Sequence, residues 1–124
     1  MMPIETDKAP RPAGPYSQAT VAGNIVFVSG QIPIDPVSGN MPETMEEQTK
    51  IVLSNLKTIL KASNVKDNNI MSVTVYLSNI EDFQIMNSIY EGSFEKPYPA
   101  RSCIGVAALP KGSKIMVDAV GMIE

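Results

Sequence analysis

The chain contains no histidine and a single cysteine, Cys103. Without the side chain that changes charge near neutral pH, it cannot build a His-based triad, a His acid/base pair or a His-containing zinc site from one type of subunit. One cysteine also excludes an intrachain disulfide and a Cys-rich metal centre. No apolar run approaches the roughly 20 residues needed to span a bilayer, so no membrane partner is expected. Positive charge is scarce as well: ten Lys and Arg stand against thirteen Asp and Glu, a formal net charge of −3. A broad basic surface for nucleic acid is therefore not expected, although a local patch is compatible with these numbers. The first residues, Met1-Met2-Pro3-Ile4-Glu5-Thr6-Asp7, are acidic with no apolar centre and do not read as a signal or transit peptide. Together with the lone thiol, this points to a reducing, cytoplasmic setting.

What is present suffices for one domain over residues 1–124. Hydrophobic residues make up 44% and charged residues 19% of 124 positions, enough for an ordinary core and too apolar for disorder. Residues 1–15 carry Pro3, Pro10, Pro12 and Pro15, which predicts an extended lead-in. Residues 16–21 and 25–29 flank Ala22-Gly23-Asn24 and predict a hairpin. The unalternating run Ile25-Val26-Phe27-Val28 suggests a strand covered on both faces. Residues 32–42 hold too many prolines and glycines for regular structure.

Thr44-Met45-Glu46-Glu47 fits a capping box, and Met45, Val52, Leu56 and Ile59 continue as an apolar stripe. The spacing predicts a helix of about five turns ending near Ser63-Asn64, covering a sheet. Residues 69–77 alternate Met71, Val73, Val75 and Leu77 with polar neighbours, as a half-buried strand does. Ser78-Asn79-Ile80-Glu81 reads as a second capping box, opening a helix over 81–94 with Phe83, Asn87, Tyr90 and Phe94 on one stripe. Strands follow over 101–107 and 114–123. The order β-β-α-β-α-β-β predicts an α+β sheet with two helices on one face. Its other face then needs a cover, and a symmetric oligomer is the simplest one.

Four positions attract functional readings, each with a plainer alternative. Pro99-Ala100-Arg101-Ser102-Cys103 opens a stiff strand, because Pro99 fixes its own φ and holds Tyr98 extended. Arg101 shares a face with Cys103, Gly105 and Ala107, a shallow floor above which its fork could grip a carboxylate or phosphate. Alternatively its stem packs and its head meets water or an acidic neighbour. Gly30, after Ser29, permits close approach of a ligand or simply marks a bulge. Asn87 on an apolar stripe either ties down a loop or meets a ligand. Cys103, with no histidine to activate it, reads as a packing residue more readily than as a nucleophile.

Taken together, Gly14-Pro15-Tyr16-Ser17-Gln18, Ser29-Gly30-Gln31-Ile32-Pro33 and Pro99-Ala100-Arg101-Ser102-Cys103 resemble the YjgF/RidA family of reactive-intermediate imine deaminases, also called the L-PSP endoribonuclease or translation-inhibitor family. The likeness extends through Val75-Tyr76-Leu77, Asp82-Phe83, Asn87, Tyr90 and Leu109-Pro110-Lys111. It implies a chorismate-mutase-like fold, a homotrimer with clefts between subunits, and hydrolysis of 2-imino and 2-enamino acids to 2-oxo acids and ammonia, with no metal or cofactor. By position, Arg101 would hold the substrate carboxylate and the main chain of Cys103 would orient the ligand. Tyr16, Ser29, Gly30 and Asn87 would line the cleft.

One position departs from the family pattern. Aligned through Leu109-Pro110-Lys111, Met116 falls where deaminating members carry a Glu that orients water. A thioether accepts no proton at neutral pH. Asp118 shares that strand face but lies about 7 Å further along. The departure keeps a second reading open, a non-catalytic module that binds small carboxylic acids in the same cleft. Ribonuclease activity, suggested by the other family name, fits the acidic, histidine-free composition least.

Overall fold

The protein, described over residues 1–124 by a computed structural model, is a six-stranded mixed sheet with two helices packed on one face. Its strands are β1 (Met2–Ile4), β2 (Ala19–Ala22), β3 (Ile25–Gln31), β4 (Ile70–Leu77), β5 (Ala100–Gly105) and β6 (Ile115–Met122). The helices α1 (Met45–Ala62) and α2 (Phe83–Ser93) lie between β3 and β4 and between β4 and β5. The spatial order is β1-β2-β3-β6-β4-β5, antiparallel except for the parallel β4–β5 edge. The expected α+β architecture is therefore present, with one strand more than the sequence reading contained.

That strand is β1, within the supposedly unpaired lead-in, where Met2–Ile4 pairs with Ala19–Val21. Extended, proline-limited geometry suits an edge strand, which needs fewer ladder donors. The link back to β2 is pinned by buried Gln18, whose Oε1 accepts from the Thr6 amide and whose Nε2 donates to the Thr6 and Pro10 carbonyls. The first hairpin strand begins at Ala19 and not at residue 16, because the Tyr16 amide turns back onto the Gly14 carbonyl. Gly23, at φ 61°, makes the hairpin turn.

Helix α1 follows its stripe. Thr44 Oγ1 accepts from the Glu47 amide, and Val52, Leu56 and Ile59 are fully enclosed, each removal from water stabilising by about 1.5 to 3 kcal/mol. Asn64 leaves the helix at φ 64°, the left-handed conformation that Asn tolerates.

The second capping box is displaced. Asn79, not Ser78, supplies the cap, its Oδ1 accepting from the Glu81 amide, and it starts a single 3-10 turn over Ile80–Asp82 before α2 opens at Phe83. The last helical residue is Ser93, one short of the expected end. Strand β5 stops at Gly105 where a strand to 107 was expected, as the chain turns to bond the Val106 amide to the Leu77 carbonyl.

Register decides which side chains meet. Val73, Val75 and Leu77 stand beside Ala119, Val117 and Ile115, all turned to the helices and buried. Thr74, Tyr76, Met116, Asp118 and Val120 point the other way. So does Phe27, which is 49% exposed. The expectation that the strand containing Ile25-Val26-Phe27-Val28 is covered on both faces fails within one chain: only Val26 and Val28 are buried.

Candidate functional site

Arg101 sits near the start of edge strand β5, opposite Val73 of β4, so it faces the helix side. Helix α2 crosses above it and presents two rings: the guanidinium carbon lies 4.6 Å from the Tyr90 centroid and 5.6 Å from that of Phe83. A weakly hydrated planar cation is held well between aromatic faces. The salt bridges of the chain are Lys57–Asp67 and Lys66–Glu124, so Arg101 has no carboxylate partner. Of the plainer sequence reading, the acidic neighbour is not found, whereas a packed stem with a solvated head agrees with this half-buried side chain.

Beside this arginine opens a cavity of about 450 Å³ lined by Asn87, Tyr90, Glu91, Tyr98, Pro99 and Arg101. The position comes directly from local structure. Asn87 and Glu91 are one helical turn apart on α2, with Tyr90 beside them, and Pro99 stiffens the entry to β5. Tyr90 is buried and its hydroxyl has no hydrogen-bond partner. Burial pushes the Tyr90 phenol above the ordinary tyrosine range, and nearby Arg101 only partly opposes this, so the ring is a neutral donor at physiological pH.

Cys103 follows on the same face of β5, paired with Val75. Burial raises its thiol above the usual value while Arg101 pulls the other way, so the thiolate is disfavoured at neutral pH. This supports a packing role for the sulfur.

Ser29, Gly30 and Met116 lie elsewhere. The pairing of β3 with β6 slips between Val28 and Gln31, placing Ser29 and Gly30 in a bulge. Ser29 Oγ donates to the Ser17 carbonyl at 2.5 Å, and the Ser29 amide bonds the Gln18 carbonyl, closing this bulge against the lead-in. Tyr16, 51% exposed, belongs to the same loop. A Cβ on Gly30 would meet Met116 Sδ at 2.9 Å, so the glycine here also permits a close approach. Next to Met116 on this uncovered face, the Tyr76 hydroxyl donates to Asp118 Oδ2 at 2.8 Å, and that bond is the main reason its phenol titrates above the ordinary range.

Within one chain the expected site residues thus form two groups. Arg101 and Cys103 of β5 and Asn87 of α2 lie on the helix side at the β5 edge, whereas Gly30 and Met116 lie on the opposite face. Two strands, β4 and β6, separate β5 from β3, a span of about 14 Å at normal strand spacing. Sequence reasoning missed Tyr90, Glu91, Tyr98 and Pro99 as cavity residues. Glu91 was detectable in principle as the i+4 neighbour of Asn87.

Volume alone points to a different place, a groove of about 1000 Å³ over the outer side of α1 that includes Lys50, Lys57, Lys61 and Lys66. Lys57 there is already held by Asp67 and the Ser93 carbonyl, and Lys66 by Glu124. The cavity at Arg101 is smaller but holds an unpaired guanidinium beside a buried phenol.

Known proteins match this chain along nearly its whole length. The family model described as Endoribonuclease L-PSP matches residues 6–123. A RutC family protein of Pyrococcus abyssi is 45% identical over 122 residues, covering 98% of this chain and 96% of its own. TdcF of Escherichia coli K12, provisionally named a reactive intermediate deaminase, is 38% identical over 122 residues, covering 96% and 95%. The crystal structure of Escherichia coli TdcF with bound serine superposes with a TM-score of 0.96 at 36% identity over 100% of both chains. Matches of this extent to both sequence and fold place the chain in the endoribonuclease L-PSP family, the YjgF/RidA family that its motifs resemble.

Proposed function

We propose that this protein hydrolyses 2-imino and 2-enamino acids to 2-oxo acids and ammonia, in clefts between the subunits of a homotrimer in the cytoplasm. The observation that carries the reading is Arg101: a half-buried guanidinium, braced by Tyr90 and Phe83, unpaired, and open to a cavity of about 450 Å³, which is roomy enough for a small amino-acid-derived ligand. Its fork matches a carboxylate with two parallel charge-assisted bonds. The relative TdcF is provisionally named a reactive intermediate deaminase, and its crystal structure holds serine, an amino acid with the same carboxylate. Both support a small amino-acid-derived ligand here.

The chemistry asks little beyond placement. A protonated imine is already electrophilic at C2, so fixing the acid, limiting stray water and aligning one water supply most of the effect. Arg101 fixes the acid, the Cys103 main chain orients it, and Asn87 borders the cavity. A second copy of the chain would bring Tyr16, Ser29 and Gly30 from its uncovered face to the same cleft and would bury Phe27 and Ile104, now 49% and 44% exposed.

Met116 favours a second reading, a module that binds 2-oxo and related acids without turnover, because a thioether stands where deaminating members of the family carry a water-orienting Glu. The test is formation of 2-oxo acid from imines generated in place by an amino-acid oxidase, with Arg101→Ala and Met116→Glu alongside. Turnover by the parent that Arg101→Ala abolishes sustains the deaminase. A silent parent whose Met116→Glu variant gains activity makes this protein the binding module.

A further inference from the structure

We infer that Glu91 is the catalytic base of this cleft, taking the proton of the water that attacks the substrate. The inference rests on the deaminase reading and supplies what that reading lacks. Met116 can hold no proton, and Asp118 is already engaged with the Tyr76 hydroxyl on the uncovered face. Glu91 is the one carboxylate among the residues lining the Arg101 cavity. Although the two share this space, Glu91 forms no ion pair with Arg101. Opposite charges left apart at one cavity suit a ligand that carries both signs, here a carboxylate for Arg101 and an iminium beside Glu91.

Local structure fixes this arrangement. Glu91 projects from the C-terminal half of α2 one turn after Asn87, and the same helix braces Arg101 through Phe83 and Tyr90. The helix that carries the base thus also packs on the acid holder of β5, which sets the one against the other as positioned proton transfer requires.

The steps balance. Water oxygen bonds to C2 while one water proton passes to the Glu91 carboxylate and the C=N π pair moves onto nitrogen, giving a neutral aminoalcohol. Glu91 returns that proton to the amine. It then takes the hydroxyl proton as the carbonyl forms and the C–N bond breaks, releasing ammonia and leaving Glu91 protonated. Loss of that proton to solvent or ammonia restores the base.

Glu91 is exposed on a helix surface, so Glu91→Gln should fold normally. The experiment follows 2-oxo acid release from oxidase-generated imines by the parent and by Glu91→Gln and Glu91→Ala, with calorimetric binding of 2-oxobutanoate. The expected result is a kcat lower by about 10²-fold or more in both variants, 2-oxobutanoate affinity within about threefold of the parent, and partial recovery of Glu91→Ala by added formate. A parent that turns over while Glu91→Gln keeps its kcat overturns the inference and leaves the deaminase reading intact. Parallel loss of kcat and of 2-oxobutanoate binding assigns Glu91 to ligand holding and also overturns it. A parent silent on every imine overturns both.

Discussion

Under α1 and α2, Val73, Val75, Leu77 and Val117 have no exposed surface, whereas on the opposite face Phe27 and Ile104 keep 49% and 44% of theirs. These residues stand on neighbouring strands of one sheet and are similarly apolar. What separates them is cover: two helices can shield one side of a six-stranded sheet and no more. The finished side holds the Arg101 cavity at its edge, and the unfinished side holds Ser29, Gly30 and Met116. An apolar face of this kind ordinarily meets a partner, and in the proposed assembly a second copy of the chain would bring the two groups of candidate site residues together.

The comparison breaks first at stability. Leu56→Ala on the covered side should cost about 2 to 5 kcal/mol in chemical denaturation, since neighbouring side chains cannot close the cavity. Phe27→Glu on the uncovered side should leave helical content intact and reduce the mass seen by sedimentation. Equal loss of fold in both variants would erase the distinction between the faces.

The second expected effect falls on the ligand. Arg101→Ala should weaken 2-oxobutanoate binding by about 1.5 to 3 kcal/mol, roughly ten- to a hundredfold, the worth of hydrogen bonds to a charged group. Calorimetry reads it directly, and unchanged binding would move the carboxylate elsewhere.

The smallest effect is a pH dependence with one sign. Tyr76 is raised chiefly by its bond to Asp118, Tyr90 by burial and Cys103 by burial. Each acid is therefore harder to ionise folded than unfolded. Their contribution is complete below the ordinary thiol and phenol values and is lost as pH climbs through the folded ones. Denaturation midpoints should fall through the alkaline range, and Tyr76→Phe together with Tyr90→Phe should flatten that fall.

Much of this was legible beforehand because local rules and tertiary packing agree. The stripe of α1 and its Thr44 cap, the alternation of β4, and the proline before Arg101 all specify one outcome. Where they compete, the sequence misled. Ser78 and Asn79 are both capping residues, and only the entry path from β4 selects Asn79. Edge strand β1 depends on a partner strand beyond the proline-rich lead-in, Met2 pairing with Val21 and Ile4 with Ala19, and on Gln18 to hold the link, which no periodicity reveals. Separation of Arg101 from Gly30 is a matter of strand order, which pairing decides and composition does not record. Glu91 escaped notice because an exposed Glu on a helix looks like any other until Arg101 is seen beside it.

The most direct test of the two-sided site mixes subunits. Arg101→Ala and Gly30→Val are prepared separately, shown to be folded and inactive, and then unfolded and reassembled together in equal amounts. If each cleft draws Arg101 from one copy and Gly30 from its neighbour, random trimers regain about a quarter of the parent activity, since one cleft in four receives both intact groups. Activity no greater than that of the separate variants would contradict a site built between copies.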